Sequence, residues 1–267
     1  MRLWWPSAIL IAWGLLAVFG GSLGLAPNHI ELSKILAEPG QAAWLGFDDL
    51  GRPVWDRLVA GARTSFLVAL WVVTVSAVIG TLIGTVSAYL GGWWDQLIVL
   101  IIDIFLAFPG ILLAIVLAGL LGPGLSNVVI ALSAVGWVGF ARLARAQALT
   151  LRQREHVQAA VALGARSPRI LMRHILPLLM APLIVEGTFA VAATVIAEAG
   201  LSFLGLGVQP PEASWGSMIR DGARYLLVAP HMVLAPGVAL MLVVLAVNVL
   251  GDQLRDRLDV RGQLRSE

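Results

Sequence analysis

Few side chains in this sequence could do chemistry, and their spacing argues against most of it. Cysteine is absent, which removes thiolate nucleophiles, disulfides and zinc–cysteine sites. The histidines are His29, His156, His174 and His231. None falls in a His-Glu-x-x-His metal pattern, and no Gly-x-Ser-x-Gly nucleophile elbow occurs. Lys34 is the single lysine, set between Ser33 and Ile35. A Walker A loop needs Gly-Lys-Ser/Thr, so the chain has no P-loop for ATP. Four polar residues, Asp103, Glu186, Glu198 and Asn248, sit inside apolar runs. A charge at membrane depth costs about 2.5–3.5 kcal/mol on insertion scales, so such groups face protein or water. A substrate or proton role and a structural pairing both remain open for them; Glu198 is expected to support the loop from Ser202 to Gly216.

These residues must be positioned by apolar elements. Of 267 residues, 59% are hydrophobic and only 13% charged, with a mean hydropathy of +0.88. That excludes an ordinary soluble domain and a disordered chain. The net charge of +2, with the basic residues scattered among apolar blocks, excludes a nucleic-acid binder. A membrane-spanning helix needs about 20 apolar residues. Six blocks qualify, at about 3–25, 65–90, 96–121, 126–149, 178–201 and 230–250. The first is expected to be a retained helix, since its apolar run is long for a signal core. The expected fold is all-α and polytopic. Residues 1–25 form the first span, 26–64 an outer loop, 65–251 a core of five spans, and 252–267 a tail. Gly80, Gly84 and Ala88 make a small-xxx-small stripe for close packing of span two.

Six spans place both termini on one side, and the arginines choose the side. With the termini inside, the inner segments hold twelve basic residues: Arg2, Arg142, Arg145, Arg152, Arg154, Arg166, Arg169, Arg173, Arg255, Arg257, Arg261 and Arg265. The outer segments hold six: Lys34, Arg52, Arg57, Arg63, Arg220 and Arg224. Both termini therefore read as cytoplasmic. In the outer loop, Pro53 suits a first helical position and Asp56 a first turn. Val54, Trp55, Leu58, Val59 and Ala62 form one apolar helical face. Such a helix fits either a bilayer interface or a docking partner.

Between spans four and five, a helix is expected over about Arg154 to Leu163, with Gly164 as its left-handed terminator. Ser167-Pro168 starts a second helix toward Ile175. Pro177 is expected to bend the chain back toward the membrane. Depth along the spans predicts a charge layer: Asp103 lies about 12 Å and Arg142 about 10 Å from the inner ends of spans three and four. Glu186 has a similar depth in span five. Arg142 is expected to pair with Asp103 or Glu186, with Arg145 as the reserve partner.

Several segments carry a family resemblance. Gln158-Ala159-Ala160, then Gly164, then Leu176-Pro177, resembles the EAA loop of ABC importer permeases, with Glu155 three residues ahead. The stretches from Leu45 to Arg52, Gly61 to Ser65, Asp103 to Pro109, Ser202 to Gly216 and Gly251 to Asp256 resemble signatures of dipeptide, oligopeptide and nickel permeases of the C-subunit type. The departures are Gln158 for the usual Glu, Phe47 for a small polar residue, and Pro53 for an acid or amide.

The resemblance implies a type I ABC importer-like fold in a bacterial inner membrane and half of a heterodimeric pore. A homologous second permease would form the other half. Two cytoplasmic ATPases would carry ATP and Mg, and an extracytoplasmic substrate-binding protein would deliver the cargo. It implies no cofactor, metal or catalytic residue on this chain. Glu155, Gln158, Ala159, Ala160, Gly164 and Arg166 would couple to an ATPase; Asp48, Asp49, Arg52 and Trp215 would dock the binding protein. The arginines near the coupling helix also serve as topology signals. Di- and oligopeptides are the expected cargo, with nickel or a metal chelate as the alternative. A membrane enzyme, or a freestanding channel or secondary transporter, is the competing class.

Overall fold

Glycine and proline punctuate a chain that otherwise reads as continuous helix. In the computed structural model, which describes residues 4–40 and 43–258, the elements are helical, and no strand forms among the described residues. Arg2, Arg261, Arg265 and the tail from 259 onward lie outside the described residues. Helix α1 spans Trp5–Phe19 and α2 Val54–Leu90. Helices α3 (Gly92–Leu106) and α4 (Gly110–Leu121) follow, then α5 (Leu125–Leu151). The short helices α6 (Glu155–Ala162) and α7 (Ser167–Ile170) precede α8 (Leu176–Phe203). Helices α9 (Trp215–Ala223) and α10 (His231–Leu258) complete the chain.

Three boundaries differ from the sequence expectation. The amphipathic segment after Pro53 is not a separate helix. It runs on into span two, making α2 a single helix of 37 residues. Part of its apolar face is covered within the chain: Val54, Val59 and Ala62 are buried, Val54 and Ala62 in the cluster with α1, α9 and α10, while Trp55 stays exposed. No Gly or Pro lies between 53 and 65 except Gly61, which a neighbouring ring covers, so nothing breaks the helix there.

Span three is instead broken. Helices α3 and α4 meet at 86°. Pro109 pushes Phe108 out of the helical region and starts a new helix at Gly110. Hydropathy, which averages over the break, cannot register it.

Span five begins earlier than expected. Leu171–Ile175 forms one π turn that carries α7 directly into α8. Together Ser167–Phe203 make 37 residues of near-continuous helix. Pro177 falls in the first turn of α8, where no N–H is required, and so does not turn the chain.

Helix α2 is the centre of the bundle and packs most extensively on α5. The Gly80–Gly84–Ala88 stripe makes this contact. A Cβ on Gly80 would strike the Trp137 carbonyl, and one on Gly84 the Ala141 carbonyl. Ala88 is fully buried. Small residues at this spacing let two helix backbones touch. One apolar cluster, around Trp13, Ala62, Trp215 and Met232, joins α1, α2, α9 and α10. A second, around Phe140, Val157, Ile170 and Leu179, joins α5 to the α6–α7 hairpin and α8.

Candidate functional site

The two ends of the bundle carry different chemistry. At the end bearing the loop before α2, a compact ionic turn forms around Asp48. Its Oδ1 accepts the backbone N–H groups of Leu50 (2.9 Å) and Arg52 (2.8 Å). Its Oδ2 accepts Arg52 Nε at 2.7 Å and lies 3.4 Å from Arg57 Nε. Gly51, at φ +72°, closes the turn with its backbone against Glu31, leaving no room for a side chain. His231 Nε2 at the start of α10 lies 3.1 Å from the Phe47 carbonyl.

Asp48, Arg52 and Trp215 are 5%, 7% and 2% exposed, so within this chain they hold the loop together and offer little surface. Trp215 donates Nε1–H to the Leu58 carbonyl at 3.0 Å and packs beside Trp13. Its helix starts on a capping box: Ser214 Oγ accepts the Ser217 N–H, and Ser217 Oγ accepts the Ser214 N–H. Asp49 is less enclosed. Burial and the adjacent Asp48 push its carboxyl above the ordinary aspartate range, although Arg52 Nη2 is 3.7 Å away.

A raised folded pKa means that the folded state disfavours ionised Asp49. The penalty is absent below the unfolded pKa, grows as pH rises, and is complete above the folded pKa. Asp49→Asn should therefore raise thermal stability at neutral pH, with the gain vanishing in acid. Melting curves of the purified protein across that pH range check this; equal shifts at both ends would refute it.

Deeper in the same half, Glu198 is 1% exposed. Its oxygens accept Ser65 Oγ (3.0 Å) and Ser202 Oγ (2.7 Å), and Ser202 Oγ in turn accepts the Val208 N–H at 3.4 Å. Glu198 thus ties α2 to α8 and anchors the loop that follows, as expected from its position. Asn248 donates to the Val244 carbonyl within its own helix.

The predicted charge layer does not form within the chain. Asp103 and Arg142 are exposed, Glu186 is half-buried beside Gly139, and no ion pair joins them. The reserve arginine does not pair with Asp103 or Glu186 either; Arg145 donates Nε–H and Nη2–H to the two oxygens of Asp95, an acid outside the expected layer, both at 2.7 Å. Such a bidentate fork is the strong form of the interaction. Ser87 Oγ also donates to Asp95 at 2.7 Å, and Arg152 Nη1 donates to the Ala88 carbonyl at the end of α2. Asp95 was legible as an acid in the first turn of α3. It lies one residue ahead of the apolar run that starts at about Gln96, so hydropathy alone does not include it in the span.

This cluster joins α2, α3 and α5 beside the hairpin. Helix α6 begins at Glu155 and ends at Gly164, whose φ of +78° is left-handed. The Ala165 N–H reaches back to the Ala160 carbonyl at 3.0 Å, the six-to-one bond of a Schellman end. Only Val157 of α6 is buried. Glu155, Gln158, Ala159 and Arg166 are exposed, Ala160 is half-buried, and Leu163 is 88% exposed. Arg166, rather than Ser167, takes the cap position of α7, without a side-chain bond. The hairpin is thus a preformed, apolar-tipped projection held to the bundle by one valine and the α7–α8 junction.

Five helices, or six spans if the bent pair α3–α4 counts as one, are long and apolar enough to cross a membrane, which makes this a multi-pass helical bundle with an exposed hairpin at one end. The chain belongs to the family described as binding-protein-dependent transport system inner membrane component, whose model matches residues 80–261. It is 42% identical over 234 residues to the glutathione transport system permease protein GsiD of Escherichia coli O6:K15:H31, covering 88% of this chain and 77% of that one. It is likewise 42% identical over 253 residues to the dipeptide transport system permease protein DppC of Alkalihalophilus pseudofirmus, covering 94% and 83%. A solved chain of the MetNI methionine ABC transporter, in an inward-facing conformation, shares the fold with a TM-score of 0.63 at 18% identity. That match covers 76% of this chain and 96% of the other. The chain is a permease subunit of an ABC importer, a multi-pass inner-membrane transport component.

Proposed function

We propose that this permease forms half of a translocation pore for short peptides, and that α6 is its contact with an ATPase. The observation that carries the coupling role is the exposed hairpin: α6 ends in a left-handed glycine, and Val161 on the helix, Leu163 at its end and Met172 in the following π turn are apolar and uncovered. Apolar groups at the tip of a projection are the pattern of a docking surface. Conversion of ATP-driven closure into rigid-body motion of the spans is one of the general routes to alternating access. On this reading ATP and Mg bind partner subunits, a second homologous permease completes the pore, and a binding protein delivers cargo to the opposite end. The hairpin end is cytoplasmic, together with both termini, as the arginine distribution supports. The peptide assignment is supported by the glutathione and dipeptide relatives.

Gly164→Val tests the coupling. No atom within 4 Å would meet the new side chain, so the substitution acts through the left-handed backbone alone. That strain costs about 1–2 kcal/mol and is relieved by unwinding the end of α6. The complete reconstituted transporter should keep hydrolysing ATP while peptide uptake falls about tenfold or more. Normal uptake, or a complex structure with α6 away from every ATPase, would overturn the proposal.

A further inference from the structure

A cavity of about 480 Å³ opens at the loop end of α2, between α1, the start of α5 and the segment before α9. Its size is that of a small-ligand site. Its charged lining residues are Asp56, Arg63 and Glu212. Arg63 has neither an ion pair nor a hydrogen bond among the described residues, although its Nη1 lies beside Gly21. Asp56 uses one oxygen to accept the Ala26 N–H at 2.9 Å; the other is uncommitted. Thr64 Oγ1 donates to the Ala213 carbonyl at 2.9 Å and holds the wall that carries Glu212. Leu67 and Leu125 supply an apolar floor.

We infer that this cavity binds the zwitterionic ends of short peptides, Arg63 taking the carboxylate and Asp56 with Glu212 the ammonium. Two acids around one base suit a ligand carrying both charges; a simple anion would meet net repulsion. Asp56 and Arg63 are seven residues apart, hence on one face of α2 and about 10 Å apart along its axis. The termini of a two- or three-residue peptide span about 7–10 Å. Leu67 and Leu125 then face the peptide's own side chains. The site lies on the permease itself and is separate from whatever the binding protein recognises. It rests on the peptide reading above.

The test uses the assembled complex of both permeases and ATPases, without binding protein, and dialanine as probe. Saturation-transfer NMR should show contact with dialanine and a much weaker signal for its C-terminal amide. Arg63→Gln should abolish the difference between the two, and Arg63→Lys should preserve it. In the complete transporter, Arg63→Gln should raise the KM for dialanine about tenfold, the scale of one charge-assisted hydrogen bond, without changing the half-saturating concentration of binding protein. Peptide uptake by the unaltered transporter with no signal, or with a signal indifferent to Arg63→Gln, overturns this inference and leaves the peptide reading standing. A rise confined to the binding-protein requirement also overturns it, by making Arg63 a docking residue. Failure to take up any short peptide overturns the reading itself and this inference with it.

Discussion

Asp48→Asn is expected to cost about 3–5 kcal/mol, the scale for removing one partner of a buried ionic group. The substitution keeps the shape of the side chain and one acceptor oxygen. It removes the charge that faces Arg52 and Arg57, whose side chains are 8% and 4% exposed. Asp49 cannot substitute: it stands 3.7 Å from Arg52 and already resists ionisation through burial. Two guanidiniums would then share an enclosed space whose other nearby carboxylate, Asp221, is already paired with Arg220, and the turn that seats α2 and α10 would open. The measurements are the amount of protein reaching the membrane and the melting temperature of the solubilised complex. Both should fall sharply. An unchanged melting profile would show that the guanidiniums find water or another carboxylate.

The second large effect lies at the contact between α2 and α5. Gly84→Ala adds one methyl group, yet that methyl would meet the backbone of Ala141 and not a movable side chain. Overpacking of this kind costs about 1–3 kcal/mol, occasionally more. Relief requires α2 and α5 to separate, which loosens the apolar cluster around Phe140, where Ala88 of α2 meets Ala144 and Ala148 of α5. Gly187→Ala is the matched control, since nothing lies within 4 Å of its added carbon; there alanine should be neutral or slightly stabilising through helix propensity. A melting temperature for Gly84→Ala equal to that of Gly187→Ala would refute the close-packing account.

The outline of the fold was legible because its signals are local. Six apolar blocks follow from hydropathy, and Gly164 follows from the need of a helix end for a left-handed residue. The small-residue stripe announced close packing, though only the structure names α5 as its partner. What was not legible depends on direction through space. Depth counted along a helix placed Asp103 and Arg142 at one level but could not say which way each faced. The bend at Pro109 rotates the halves of span three; α3 meets α5 through apolar side chains at Ile102 and Phe105, and the ion pair forms nearer the hairpin, between Asp95 and Arg145. The residues from Asp48 to Arg52 show the same limit. Charged side chains in a loop suggest a surface, and only long-range pairing with Arg57 and the adjacent helices buries them.

The uninterrupted length of α2 has a mechanical consequence. At about 1.5 Å per residue its 37 residues form a rod of roughly 55 Å. One end is clamped by the Asp48 turn, the other by Ser87 and the Arg152 contact at Ala88. A strut held at both ends has no joint in which to dissipate a displacement. Any tilt applied beside the hairpin arrives at the far end with its angle intact. The neighbouring span, broken at Pro109 with its halves at 86°, is the opposite kind of part: an elbow, with a joint where the strut has none.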